Sequence, residues 1–149
     1  MRIAVLNGPN LNMLGIREPD IYGRADYASL VETIEAYARE NGAEVLVAQT
    51  NSEGGLVGMI QRCLGRADGI VINPAAYTHT SVAVLDALKA VALPAVEVHL
   101  SDVSAREPFR QTLRAFPARC ADARPDGRGR VMPCRTFPSA QGRSRARRG

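Results

Sequence analysis

Four short apolar runs, spaced along the first hundred residues, constrain this chain more tightly than any other feature. They are Arg2–Leu6, Glu44–Gln49 (EVLVAQ), Gly69–Ile72 (GIVI) and Ala95–His99 (AVEVH). Each is strand-sized, and Gly69–Ile72 is apolar throughout, as expected of a strand covered on both faces. Between them lie segments of helical period. Tyr27–Asn41 places Leu30, Ile34, Tyr37 and Ala38 on one stripe and stops at Asn41-Gly42, a good C-terminal signal. Ser52 and Glu53 open a second helix through about Leu64, striped by Leu56, Met59, Ile60 and Leu64. Thr80 or Ser81 caps a third, Val82–Ala90, before Pro94. This βαβαβαβ alternation with short links predicts an α/β fold, a parallel sheet with helices on both faces. Sheets of that kind carry their sites beyond the carboxyl ends of the strands.

The 149 residues suit one domain with a real core. No apolar run reaches transmembrane length, and the N-terminus enters a strand-like run without a signal-peptide pattern. The cysteines (Cys63, Cys120, Cys134) are odd in number and lack metal-ligand spacing, so a reduced, cytoplasmic setting is expected. The net charge of +4 divides unevenly. Residues 1–112 hold 9 basic and 13 acidic side chains, whereas 113–149 hold 10 Arg and 2 Asp. A mildly acidic domain, 1–112, therefore precedes a basic Arg/Pro/Gly-rich tail, 113–149, which lacks sustained periodicity and reads as unstructured.

The polar residues collect where such a sheet would place a site. Strand one runs into Asn7-Gly8-Pro9-Asn10, strand two into Thr50-Asn51-Ser52, and strand three into Asn73-Pro74 with Thr78 and His79 beyond. Strand four carries Glu97, His99 and Ser101, so both histidines of the chain fall at one rim. Each residue has a structural reading of its own: the asparagines as turn formers, His99 as a strand end, Asp86 as a solvated helix face. Joint placement favours a site. The stretch Leu6–Gly23 (LNGPNLNMLGIREPDIYG) shows no convincing helix or strand, and its Gly, Pro and Asn residues demand turns. A loop of that length in a small domain is commonly functional, and this one delivers Arg17 and Tyr22. No GxGxxG or GxxxxGK[ST] follows a strand, and no GxSxG elbow is present. The first strand lacks the carboxylate pair of a phosphorylated receiver, and two distant histidines make a poor metal site. Acid–base chemistry remains: a tyrosine with an arginine, and a histidine beside Glu97.

Four motifs, NGPNLNMLGIREPDIYG, TNSEG, INPAAYTHTS and VEVHLSDVSAREPFR, strongly resemble the type II 3-dehydroquinate dehydratases over about Arg2–Arg110. The resemblance implies a flavodoxin-like three-layer sandwich and a cofactor-free lyase of the shikimate pathway, in aromatic amino acid biosynthesis. It implies Tyr22 as the base that removes a proton alpha to the substrate ketone, with Arg17 beside the phenol and Arg106 adding to it. Asn10 would hold a water against the enolate, and His99 would be the general acid, oriented by Glu97. Asn73 and the backbone N–H groups of Leu100 and Ser101 would bind the substrate carboxylate and nearby hydroxyl, and His79 and Arg110 other hydroxyls. Asp86 would come from a neighbouring subunit, since the family assembles trimers into dodecamers. No metal is implied.

Two departures stand out. Gly55 replaces a glutamate usual in the family's turn, and beyond Arg110 the fifth strand and closing helix are replaced by the basic tail. Such a tail is what a shifted reading frame of GC-rich sequence would encode. An impaired relative surviving as a scaffold is therefore a competing expectation. Nucleic-acid binding by the ten arginines is another, though only Phe116 and Phe137 interleave them.

Overall fold

The computed structural model describes residues 1–16, 26–100 and 107–111. Arg17, Tyr22, Ser101, Arg106 and the tail lie outside them, as do any fifth strand and closing helix. Four parallel strands, β1 (Arg2–Asn7), β2 (Glu44–Gln49), β3 (Gly69–Asn73) and β4 (Ala95–Glu97), lie in the order β2-β1-β3-β4. Asn7 pairs with both Gln49 and Asn73, and Ile72 with Glu97, so the carboxyl ends are nearly level. That register follows from the pattern, because slipping one residue would turn the apolar set of each strand to the other face.

The helices are α1 (Tyr27–Glu40), α2 (Glu53–Arg62), the single turn α3 (Tyr77–Thr80) and α4 (Val82–Val91). Ala4, Leu6, Ile70 and Ile72 point to the face where Leu56, Ile60, Val84, Leu88 and Val91 of α2 and α4 meet them. α1 packs on β2 and on a 3-10 turn at Leu11–Met13, and its Tyr27 hydroxyl accepts a bond from Asn7, whose side chain leaves β1 opposite to Leu6. The three-layer arrangement thus matches the expectation from the alternating runs.

Local chemistry sets the boundaries. Asp26 accepts from Ser29 N at 2.8 Å to start α1, Ser52 accepts from Gly55 N at 3.3 Å to start α2, and Ser81 accepts from Val84 N at 2.9 Å to start α4. The left-handed Gly42, at φ 64°, ends the α1 turn. Several expectations need correction. Tyr37 and Leu64, assigned to apolar stripes, are 69% and 63% exposed. Tyr37 sits one residue, about 100° of helix, from the buried Ala38, and Leu64 follows the end of α2. β4 stops at Glu97 rather than His99, although Val98 N still bonds to Ile72 O at 2.9 Å. The turn α3 was not expected, because one turn is too short to show a period.

Candidate active site

The ends of β1, β2 and β3 are brought together through backbone contact. Gly8 N donates to Asn73 O at 2.7 Å and Thr50 N to Asn7 O at 3.0 Å. A Cβ at Gly8 would stand 2.6 Å from the Pro74 carbonyl oxygen, so only glycine permits this approach. Asn10 adopts φ 67°, a left-handed conformation that asparagine tolerates, and its N–H donates to Asn51 Oδ1 at 2.9 Å. The same Oδ1 accepts from Gln49 Nε2 at 3.0 Å, and Gln49 also donates to Gly8 O at 3.2 Å and Asn12 Oδ1 at 3.3 Å. Asn51 O in turn accepts from the Tyr77 hydroxyl at 2.9 Å. Asn51 therefore joins the ends of β1, β2 and β3.

Asn73, buried at the end of β3, turns its Oδ1 back to Ala75 N at 3.2 Å, where Ala75 is left-handed at φ 51°. This Asx turn occupies the carbonyl oxygen and leaves the amide donors for another partner. α3 follows, and Thr78 within it is fully buried.

The most distinctive group is ionisable. Glu97 is only 2% exposed, and its Oε1 accepts from the Thr78 hydroxyl and contacts His99 Nε2 at 2.6 Å. Glu97 and His99 lie two residues apart, the spacing that puts two side chains on one side of an extended chain. Glu97 Oε2 has no hydrogen-bond partner among the described residues. A buried carboxylate held so closely to an imidazole is the arrangement that orients a histidine for proton transfer.

Of the residues singled out in the sequence, Asn10, Asn73, Glu97, His99 and Leu100 stand at or just beyond this rim. His79 lies in α3. Arg110 sits in a 3-10 turn, Pro108–Gln111, with its Nε donating to Glu107 Oε2 at 2.8 Å. Asp86 is 68% exposed on α4, 4.0 Å from Lys89 Nζ. Gln49, Tyr77 and the Thr78 bond to Glu97 form a supporting network that no spacing in the sequence marks. The one available signal was that INPAAYTHTS and TNSEG are rich in hydrogen-bonding side chains immediately after strands.

A family model described as Dehydroquinase class II matches residues 1–124. The 3-dehydroquinate dehydratase of Campylobacter hominis is 53% identical over 117 residues, which are 78% of this chain and 76% of that protein. That of Sulfurovum sp. is 54% identical over 121 residues, 81% of this chain and 74% of that protein. The type II dehydroquinase structure from Butyrivibrio crossotus superposes with a TM-score of 0.79 at 45% identity, covering 85% of this chain and 89% of that one. Sequence and fold agree on one assignment, and the chain belongs to the class II dehydroquinase family.

Proposed function

We propose that this chain is a hydro-lyase converting 3-dehydroquinate to 3-dehydroshikimate and water in the shikimate pathway. The observation that carries the reading is the His99 imidazole held at 2.6 Å by the buried Glu97 carboxylate, at the common edge of the strand ends. Dehydration needs a base for the proton alpha to the ketone and an acid for the hydroxyl beta to it. Tyr22 is the base. A free phenol has a pKa of about 10, so phenolate near pH 7 costs roughly 4 kcal/mol unless a cation helps. Arg17 supplies that cation, with Arg106 adding to it. The broken C–H bond leaves its electron pair as an enolate, which a water on Asn10 stabilises. The enolate then expels the hydroxyl, to which His99 adds a proton, and water departs.

Asn73 amide donors, left available by the Asx turn, and the Leu100 and Ser101 N–H groups suit the substrate carboxylate and adjacent hydroxyl. His79 and Arg110 take further hydroxyls, and Asp86 reaches the site of a neighbouring subunit in a homododecamer of cytoplasmic protein. Its exposure on α4 is compatible with that role. Residues 1–112 form the working domain, and 113–149 are a basic appendage. No described helix is long and apolar enough to cross a membrane.

Solvent isotope exchange tests the division of labour. In D2O, wild-type protein should give product. His99→Gln should stall elimination while still placing deuterium alpha to the ketone of recovered substrate. Tyr22→Phe should do neither. Exchange by Tyr22→Phe at the rate of His99→Gln would contradict the assignment of the base.

A further inference from the structure

Thr78 has no part in the roles assigned above, yet it is fully buried and its hydroxyl donates to the one carboxylate oxygen that holds His99. We propose that Thr78 is a positioning residue for the acid step, fixing both the direction of Glu97 and the tautomer of His99. A carboxylate oxygen offers two lone-pair sites. Here the Thr78 hydroxyl takes one and His99 Nε2, at 2.6 Å, takes the other. Because the Thr78 hydroxyl donates to it, Oε1 acts as an acceptor in this pair of contacts. With no proton on Oε1, the short contact requires that Nε2 carry one. Neutral His99 is then the Nε2–H tautomer, and Nδ1 is the ring nitrogen that gains and delivers a proton.

Without the hydroxyl, a carboxylate 2% exposed would lose one of the two partners it has among the described residues. Its remaining tie to His99 would no longer set the direction of the group. The device is local in sequence as well. Tyr77, Thr78 and His79 share one turn, in which Tyr77 fastens the turn to Asn51 O at 2.9 Å while Thr78 reaches Glu97. The position of α3 is thereby coupled to the acid.

The inference rests on the dehydratase reading for its kinetic arm, but its spectroscopic arm needs no turnover. Nitrogen-15 spectra of the full chain labelled at histidine contain two ring systems, and His99→Gln assigns them. The expected wild-type result is a protonated Nε2 on neutral His99. Thr78→Val should mix the tautomers and lower kcat by about ten- to hundredfold, with KM changed by no more than about threefold. Thr78→Ser should restore both. A bare Nε2 in the wild type, an unaltered ring and kcat in Thr78→Val, or a Thr78→Ser as impaired as the valine variant would each overturn the proposal. If Thr78→Val does not fold, the wild-type tautomer and the serine variant decide it alone. If wild type shows the expected tautomer without turnover, the positioning stands and the dehydratase reading fails.

Discussion

At the scale of single residues, the site depends on a few atoms with no substitute. Asn51 Oδ1 accepts from Asn10 N at 2.9 Å and Gln49 Nε2 at 3.0 Å, so its acceptor matters and its amide nitrogen matters less. Asn51→Asp should therefore keep kcat on 3-dehydroquinate within about threefold, whereas Asn51→Leu should lower it about tenfold or more by freeing the left-handed Asn10. Steady-state kinetics on the two variants measure the difference. Gly8→Ala must move the Pro74 carbonyl and is expected to destabilise the protein by about 1–3 kcal/mol, read as a lower urea midpoint. Charge gives a pH signature. The Arg2 backbone N–H, 2.7 Å from Asp68 Oδ2, holds the Asp68 carboxyl below its ordinary value. A depressed folded value means stabilisation that is present above the ordinary Asp value of about 3.9 and is lost as pH falls through the folded value. The urea midpoint of wild type should thus exceed that of Asp68→Asn near neutrality, and the gap should close in acid. At this scale the sequence revealed Glu97 beside His99, because alternation is readable in one dimension. It did not reveal that Thr78, nineteen residues earlier, would meet the same oxygen, since that contact exists only once β3 and β4 pair.

At the scale of elements, strands and long helices were legible because their burial has a period. β2 has the boundaries its EVLVAQ run suggests, and α1 and α4 lie within a residue of their expected ends. Short pieces and the edges of stripes carry no such period. α3 follows a left-handed Ala75 and spans only Tyr77–Thr80, too few residues for any repeat. Leu64 looked like one more apolar position on α2, but the helix ends at Arg62 and the next turn swings the side chain outward. The Ser81 hydroxyl, buried and 2.9 Å from Val84 N, starts α4 immediately after α3. Ser81→Ala should cost about 1 kcal/mol of stability, and Ser81→Gly only a few tenths more than wild type from the cap itself. Paired denaturation curves check the contrast.

For the whole molecule, the described residues account for a parallel sheet sandwiched between α1 on one side and α2 with α4 on the other, with one rim left for chemistry. Light scattering is expected to give the mass of a dodecamer of 16.0 kDa chains. A monomer or an open-ended aggregate would instead favour an impaired relative. The family match extends to residue 124, past the point where the resemblance in sequence fades into the arginine-rich tail. The reaction itself is followed by the ultraviolet absorbance of the conjugated product as purified, folded protein meets 3-dehydroquinate. Saturable formation of 3-dehydroshikimate that disappears in Tyr22→Phe and His99→Gln is the predicted result. A folded wild-type protein with no turnover above that of the two variants would show that this chain is not a dehydratase.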